Sequence, residues 1–91
     1  MIIKYYFRDG EKMRKHFLEH GEATNCDSAE EYLIRANEVI ENPKVKRKPE
    51  TDDGDNDMVY YLSETGEIVF VSADGYIRTY YIADDEYFER Q

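Results

Sequence analysis

Three short β-forming runs near the C-terminus constrain the fold of this chain more than any other feature. The segments MVYYL (58–62), EIVFVS (67–72) and YIRTYYI (76–82) are rich in β-branched and aromatic residues, which are typical of strands. Only SETG (63–66) and ADG (73–75) separate them. Short gaps that contain glycine join antiparallel neighbours. The sequence therefore predicts a three-stranded antiparallel meander.

Two helices are predicted ahead of these strands. Ser28 is typical of an N-cap, and Glu31 follows it by three residues, which is the spacing of a capping box. Apolar residues then recur at helical spacing, so we expect a helix over about 29–41. An earlier helix is expected over about 11–20, with Gly21 just beyond it as a left-handed C-cap.

The order of these elements predicts the fold class. IIKYYF (2–7) is also typical of a short strand, so the order is strand, helix, helix and three strands. This order predicts an α+β fold, with two N-terminal helices packed on one face of a three- to four-stranded antiparallel meander sheet. We expect a single domain over 1–91, with a helical part at about 10–42, a mobile charged loop at 44–57, a sheet at 58–82 and an acidic tail at 83–91.

Side-chain alternation predicts which residues share a face of the last strand. Strict alternation places Thr79 and Tyr81 on one face and Arg78 on the other. The second face of the sheet is expected to be open. The chain has nine tyrosines, a residue that suits a half-exposed sheet because it packs while keeping a polar tip. Such a sheet is either ordinary packing or a surface that stacks bases or contacts a partner.

The charge of the chain disfavours polyanionic partners but does not exclude them. The formal net charge is −9, which repels nucleic acid at long range. The charge is uneven, because EKMRKH (11–16) and KVKRK (44–48) are basic while ETDDGDND (50–57) and ADDEYFE (83–89) are acidic. A local basic surface is therefore compatible with the negative total.

The remaining composition bears on the environment of the protein. No apolar run approaches the length of a membrane span, and the N-terminus lacks the features of a signal peptide. The lone Cys26 excludes an internal disulfide and fits a reducing compartment. We therefore expect a cytoplasmic protein without membrane contact.

The two histidines of the chain lie together in HFLEHG (16–21). His16 and His20 are one helical turn apart and share a helix face, so they are a catalytic pair, a metal clip or ordinary surface residues. As a zinc site they would need a third ligand such as Cys26. No glutamate follows His16 directly, and DDGDND (52–57) lacks the spacing of a calcium loop, so we predict no metal and no cofactor.

Three segments together resemble a known family pattern. HFLEHG, then SAEEYLIRANEVIENP, then TGEIVFVSADGYIRTYY resemble small bacterial RNase domains of the barnase–EndoU–colicin D–RelE group. These domains occur at the C-termini of contact-dependent and other polymorphic toxins and in phage-encoded proteins. The matching positions are His16, Phe17, His20, Gly21, Ser28, Glu30, Glu31, Tyr32, Asp74, Gly75, Ile77, Thr79 and Tyr80.

The resemblance implies a metal-independent endoribonuclease that acts on RNA, with tRNA as an expected substrate. Metal-free RNA cleavage needs a general base, a general acid and donors for the phosphate charge, and histidine can serve in either proton-transfer role near neutral pH. We predict that His16, His20 and Thr79 are catalytic, and the choice of Thr79 follows from the resemblance. The residues expected to bind substrate are Lys12, Lys15, Arg78, Ser72 and Tyr81.

A second hypothesis follows from departures from the family. The chain is acidic where these toxins tend to be basic, and EATNCD (22–27) lacks an expected glycine-containing stretch. The alternative is therefore a non-catalytic protein-binding module of a phage or mobile element on the same fold. The partner is RNA if the protein is active, and the other partner considered is a protein, such as an immunity protein. A positive cleft around the histidines would favour the nuclease, and an acidic cleft would favour the binding module.

Overall fold

Four antiparallel strands form one sheet, in which each strand lies beside the next strand along the chain, and two helices pack against this sheet. The computed structural model describes residues 3–50 and 57–91. The predicted α+β class is confirmed, and the sheet order is β1-β2-β3-β4. Within the described part of the chain, no helix has both the length and the apolar character that crossing a membrane requires. The elements are α1 (Gly10–His20), α2 (Ala29–Glu41), β1 (Lys46–Pro49), β2 (Met58–Leu62), β3 (Glu67–Val71), β4 (Ile77–Ile82) and α3 (Asp85–Glu89).

Helix α2 supplies most of the helical part of the core. It begins as the sequence predicts, because the Ser28 hydroxyl accepts a hydrogen bond from the Glu31 backbone N–H at 3.1 Å. Its apolar face packs on β2 and β3. The buried residues of α2 are Tyr32, Leu33, Ala36, Asn37, Val39 and Ile40.

The N-terminal segment does not form the predicted strand over its described residues. Phe7 makes an isolated parallel bridge to Ile77, and the preceding residues are irregular. The side chain of Asn37 makes the hydrogen bonds to this backbone that a neighbouring strand would otherwise make. Its amide oxygen accepts from the backbone N–H groups of Lys4 at 3.1 Å and Tyr5 at 2.9 Å, and its amide nitrogen donates to the Tyr5 carbonyl at 2.9 Å. One buried side chain therefore satisfies backbone groups that a strand partner would otherwise satisfy.

The predicted loop over 44–57 is wrong at Lys46–Pro49. These residues form the edge strand β1 and pair antiparallel with β2, with Lys46 opposite Tyr61 and Pro49 opposite Met58. Charge does not prevent pairing here, because an edge strand keeps its side chains in solvent and tolerates a proline at its end. Residues 51–56, on which the prediction of mobility also falls, lie outside the described residues.

The second face of the sheet is covered, so the predicted open face and the acidic tail over 83–91 both need correction. Asp84 accepts a hydrogen bond from the Tyr87 N–H at 2.8 Å and begins the short helix α3. This helix places Phe88 against the ring of Tyr61, with the centroids 5.0 Å apart. The buried cluster on this face contains Val59, Tyr61, Ile68, Phe70 and Phe88.

A bulge changes which residues of β4 face which side. The register shifts between Phe70 and Val71, so that Thr79 lies opposite Phe70 while Ile77 lies opposite Val71. Arg78 is the extra residue between these pairs. The prediction that strict alternation separates Arg78 from Thr79 is therefore wrong, because a bulge inserts one residue and resets the alternation.

Gly21 ends α1 for a different reason from the one predicted. Its φ is −60°, which is right-handed, and the left-handed residue of this turn is Asn25, with a φ of 60°. A Cβ at Gly21 would lie 2.6 Å from the Phe17 ring. The glycine is therefore required by close packing against Phe17, and no positive φ is involved.

Candidate functional site

Helix α1 carries both histidines and lies against β4 and α2. The Asp9 carboxylate caps its first turn by accepting a hydrogen bond from the Lys12 N–H at 2.8 Å. None of its residues is fully buried. Met13 and Phe17 are half-buried and pack against the core, which anchors one side of the helix. The polar side chains beside this stripe are therefore held close to β4 but remain accessible.

His16 is fixed by contacts with β4 and with the N-terminal segment. Its Nδ1 lies 3.3 Å from the Thr79 hydroxyl on β4, and its ring stacks on Phe7 with the centroids 5.5 Å apart. Partial burial lowers the pKa of His16 below its ordinary value of 6.5, and Glu19 opposes this shift. The charges of His20, Lys15 and Lys12 lower this pKa further. His16 is therefore neutral near pH 7 and can accept a proton.

His20 lies one turn further along the same helix face. Its ring centroid is 6.2 Å from that of His16 and 5.2 Å from that of Tyr81. The Tyr81 hydroxyl hydrogen-bonds the Tyr87 hydroxyl at 2.5 Å. Burial, followed by this hydrogen bond, raises the pKa of Tyr81. Tyr81 is therefore a neutral aromatic support for His20 and is not a source of charge.

A basic groove opens between α1 and the end of β4. It has a volume of about 330 Å³. Four of its lining residues are cationic side chains, and none of the described residues that line it carries a carboxylate. The described lining of the groove is therefore basic, although the chain as a whole is acidic. The lining residues, which define the basic groove, are Arg8, Lys12, Lys15, His16, Ser72, Tyr76, Ile77 and Arg78.

Most of the predicted site residues meet at this groove. Thr79 reaches it through its hydrogen bond to His16, whereas His20 and Tyr81 lie one helical turn beyond its lining. Both Arg78 and Thr79 border the site, because the bulge brings neighbouring residues toward α1. The predicted residues that line the groove directly are Lys12, Lys15, His16, Ser72 and Arg78.

The two arginines of the groove are held in position by carboxylates. Arg78 Nη1 lies 2.5 Å from an Asp57 oxygen and 3.4 Å from a Glu50 oxygen. Arg8 Nη2 contacts both Asp74 oxygens, at 2.8 and 3.0 Å, and its guanidinium lies over the Tyr76 ring. These carboxylates orient the guanidinium groups and neutralise part of their charge.

The lysines of the groove are less constrained than the arginines. Lys12 Nζ lies 4.0 Å from Asp9, at the limit of an ion pair. Among residues 3–50 and 57–91, Lys15 forms no ion pair. Their charges are therefore available to an anion that enters the groove.

Ser72 builds the rim of the groove through local hydrogen bonds. Its hydroxyl donates to Asp74 and lies 3.1 Å from the Tyr76 carbonyl, and it accepts from the Tyr76 N–H at 3.2 Å. These bonds fix the β3–β4 turn. Arg8 and Tyr76 also line the groove and were not predicted as site residues. Arg8 reaches the groove through its ion pair with Asp74 and its position over the Tyr76 ring, which are contacts between distant parts of the sequence.

A set of possible metal ligands also lies on α1. One ligand atom from each of His16, Glu19 and His20 lies within 4.8 Å of the others. The third ligand considered from the sequence, Cys26, is not in this group. It is buried in the core, where burial raises its pKa and its thiol contacts Thr24.

No protein-family model matches this sequence, and no curated protein matches it either. The resemblance to toxin RNases therefore stays a prediction that depends on the residues themselves.

Proposed function

We propose that this protein is a metal-independent endoribonuclease of the toxin type, with His16 as its general base. One observation carries the proposal. A neutral histidine, hydrogen-bonded to Thr79, lines a groove whose described residues include four cationic side chains and no carboxylate. Such a groove attracts a phosphate backbone and presents a proton acceptor to it.

The contact between His16 and Thr79 defines how the base would work. In this mechanism Nδ1–H donates a hydrogen bond to the Thr79 hydroxyl oxygen, 3.3 Å away. The Nε2 lone pair is then free to accept the proton of a ribose 2′-hydroxyl. The deprotonated oxygen attacks the adjacent phosphorus, and the bond from phosphorus to the leaving 5′-oxygen breaks.

The second proton transfer is assigned to His20. Attacking and leaving oxygens lie roughly in line on opposite sides of phosphorus, so base and acid must flank the phosphate. The two imidazole rings lie on the same face of α1, with their centroids 6.2 Å apart. A protonated His20 donates its proton to the 5′-oxygen, and the products are a 2′,3′-cyclic phosphate and a free 5′-hydroxyl.

Phosphate recognition is assigned to the basic groove. Lys12 and Lys15 supply mobile charge, while Arg78 supplies a guanidinium that Asp57 holds in a fixed position. Because the chain as a whole carries a charge of −9, binding depends on these local contacts and weakens as salt rises.

The alternative function, a module that binds a protein through a tyrosine-rich sheet, is less well supported. Tyr32, Tyr61 and Tyr80 are among the largest fully buried side chains, so they build the core and offer no surface for a partner. The basic groove is better suited to RNA. A protein that blocks a toxin RNase, such as an immunity protein, would be expected to cover this groove with acidic side chains.

The direct test is incubation of the purified protein with total tRNA in EDTA. We expect fragments that end in 2′,3′-cyclic phosphate, and we expect shortened tRNA in cells that express the protein. Thr79→Val keeps the shape of the side chain but removes the hydroxyl, so it should slow cleavage. Ser63→Ala, in the exposed β2–β3 turn, is the matched control.

Intact tRNA at micromolar protein would contradict the nuclease and favour the binding module. Fragments that end in 3′-hydroxyl would contradict the proposed attack by the 2′-oxygen.

A further inference from the structure

We propose that His16, Glu19 and His20 form a binding site for one Zn²⁺ ion, and that the bound ion switches off RNA cleavage. The proposed binding site is supported by the positions of the three ligand atoms and does not depend on the nuclease function. The inhibitory effect rests on the proposed nuclease function, because it requires that the same histidines transfer protons.

The three side chains are spaced for one ion. They occupy positions i, i+3 and i+4 of α1, which lie on one helix face. Their ligand atoms are within 4.8 Å of one another. Ligand atoms around a tetrahedral zinc ion are about 3.3 Å apart, given bonds of about 2.0–2.1 Å. Closing the difference needs side-chain rotation, and the Glu19 side chain is 49% exposed, so it can rotate toward the two imidazole rings.

Contacts from other elements hold both imidazole rings in place. Thr79 occupies Nδ1 of His16 and Phe7 stacks on its ring, which leaves Nε2 for a metal. Tyr81 supports the ring of His20, and Glu19 already lies 3.5 Å from His20 Nε2. Hydrogen bonds and packing that orient metal-binding histidines raise metal affinity.

The donor set selects a metal class. Two imidazole nitrogens and one carboxylate oxygen suit Zn²⁺ and neighbouring transition metals, whereas Mg²⁺ and Ca²⁺ prefer oxygen ligands throughout. Three protein ligands also leave a fourth position on zinc for water or a phosphate oxygen.

Metal binding and proton transfer exclude each other at this site. A nitrogen lone pair that is bonded to zinc cannot accept the 2′-hydroxyl proton, and a ligated His20 cannot carry the proton that the leaving oxygen needs. The site is therefore a zinc-dependent off switch for the general base.

The test measures Zn²⁺ affinity by competition with a chromophoric chelator, and measures Co²⁺ binding by visible absorption. Wild type should bind one ion per chain. Each of His16→Ala, Glu19→Gln and His20→Ala should lose at least the ~10–100-fold in affinity that altered outer-shell partners cost. Glu11→Gln, which removes an exposed carboxylate from the first turn of the same helix, should keep wild-type affinity.

A second control addresses the sulfur ligand. Cys26→Ser should leave zinc affinity unchanged, because the buried thiol lies outside the ligand group. A charge-transfer band between cobalt and thiolate in the wild type, lost in Cys26→Ser, would overturn the assignment. So would a wild-type affinity no tighter than that of Glu19→Gln.

Zinc inhibition is then measured as the ratio of cleavage rates in EDTA and in excess Zn²⁺. The ratio should be large for wild type and should fall toward one at the same zinc concentration for Glu19→Gln. Equal zinc sensitivity in the two proteins would overturn the switch. If zinc binds but no cleavage occurs in EDTA, the metal site stands and the nuclease fails. If zinc does not bind while EDTA-resistant cleavage occurs, the metal site fails and the nuclease stands.

Discussion

The two long helices of this protein differ in what they bury and in what they present. Helix α2 has six buried residues, including the fully buried Tyr32 and Ala36, and it packs on the central strands. Helix α1 has none and lies at the β4 edge, where it presents the histidines, two lysines of the basic groove and the exposed Leu18.

Because of this difference, we expect α2 to contribute mainly to stability and α1 mainly to the chemistry of the candidate site. Substitutions in a buried helix lower the free energy of unfolding, because they leave cavities and unpaired polar groups in the core. A half-exposed helix tolerates changes more easily and can hold polar groups near a ligand. The comparison therefore predicts that substitutions in α2 unfold the protein, while substitutions in α1 alter its activity.

The largest expected change in stability is at Tyr32. Its ring packs 4.9 Å from that of Tyr80 and its hydroxyl donates to the Tyr80 carbonyl. Tyr32→Ala should lower the free energy of unfolding by about 3–5 kcal/mol, measured by urea denaturation. The matched control on α1 is Leu18→Ala. Leu18 is 75% exposed, so its loss should stay within about 0.5 kcal/mol. Similar losses for the two variants would contradict the different contributions of α2 and α1 to stability.

A smaller loss is expected at Asn37. Asn37→Ala leaves the backbone groups of Lys4 and Tyr5 without their partner, and we expect a total loss of about 1–3 kcal/mol, because water can reach this half-exposed segment. Asn42→Ala is the control, since that exposed side chain accepts one hydrogen bond from the Lys44 N–H. Hydrogen exchange should show faster opening of the N-terminal segment in Asn37→Ala, and unchanged exchange there would argue against the role of this side chain.

The pH dependence of cleavage sharpens the account of His16. Its pKa in the folded protein is lowered below 6.5, chiefly by burial, so the neutral base persists to lower pH than in a free histidine. The rate in EDTA should fall as pH drops through this lowered pKa, by about tenfold per unit once His16 is protonated. The lowered pKa also means that the unfolded chain binds this proton more tightly, so stability decreases as pH falls below 6.5. A fall in the cleavage rate that is centred at a pH above 6.5 would contradict the lowered pKa of His16.

The smallest expected effect concerns a single charge on α1. Lys15→Gln should weaken RNA binding and reduce the dependence of log K on log salt by about 0.7, the value for one contact to a single strand. Lys4→Gln changes the net charge equally, but Lys4 pairs with Glu41, away from the groove. Equal effects of the two substitutions would indicate that Lys15 affects RNA binding only through the net charge of the protein and makes no specific contact with the RNA.

The helices and the meander could be predicted from the sequence because their signals are local. Capping at Ser28, helical periodicity and short glycine-containing turns need no knowledge of distant partners. The strand β1 could not be predicted, because its four residues carry no apolar pattern and pair only at the sheet edge. Nor could the N-terminal segment, whose backbone is satisfied by Asn37, more than 30 residues away.

The site was partly predictable for the same reason. His16 and His20 are neighbours on one helix, and Lys12 and Lys15 follow from the same periodicity. The place of Arg78 beside Thr79 depends on a bulge in β4 that alternation cannot reveal. Arg8 joins the groove through its ion pair with Asp74, a contact across 66 positions that no local pattern indicates.

The most direct test of the separation between the two helices is a paired measurement on His16→Ala. We predict that its RNA cleavage rate in EDTA falls by about 10²–10⁴-fold, the contribution of one general base. Its free energy of unfolding should change by about 1 kcal/mol or less, because a half-buried side chain loses one hydrogen bond and its ring contacts with Phe7 and His20. A rate equal to wild type, or a loss of activity that follows from unfolding, would contradict the account.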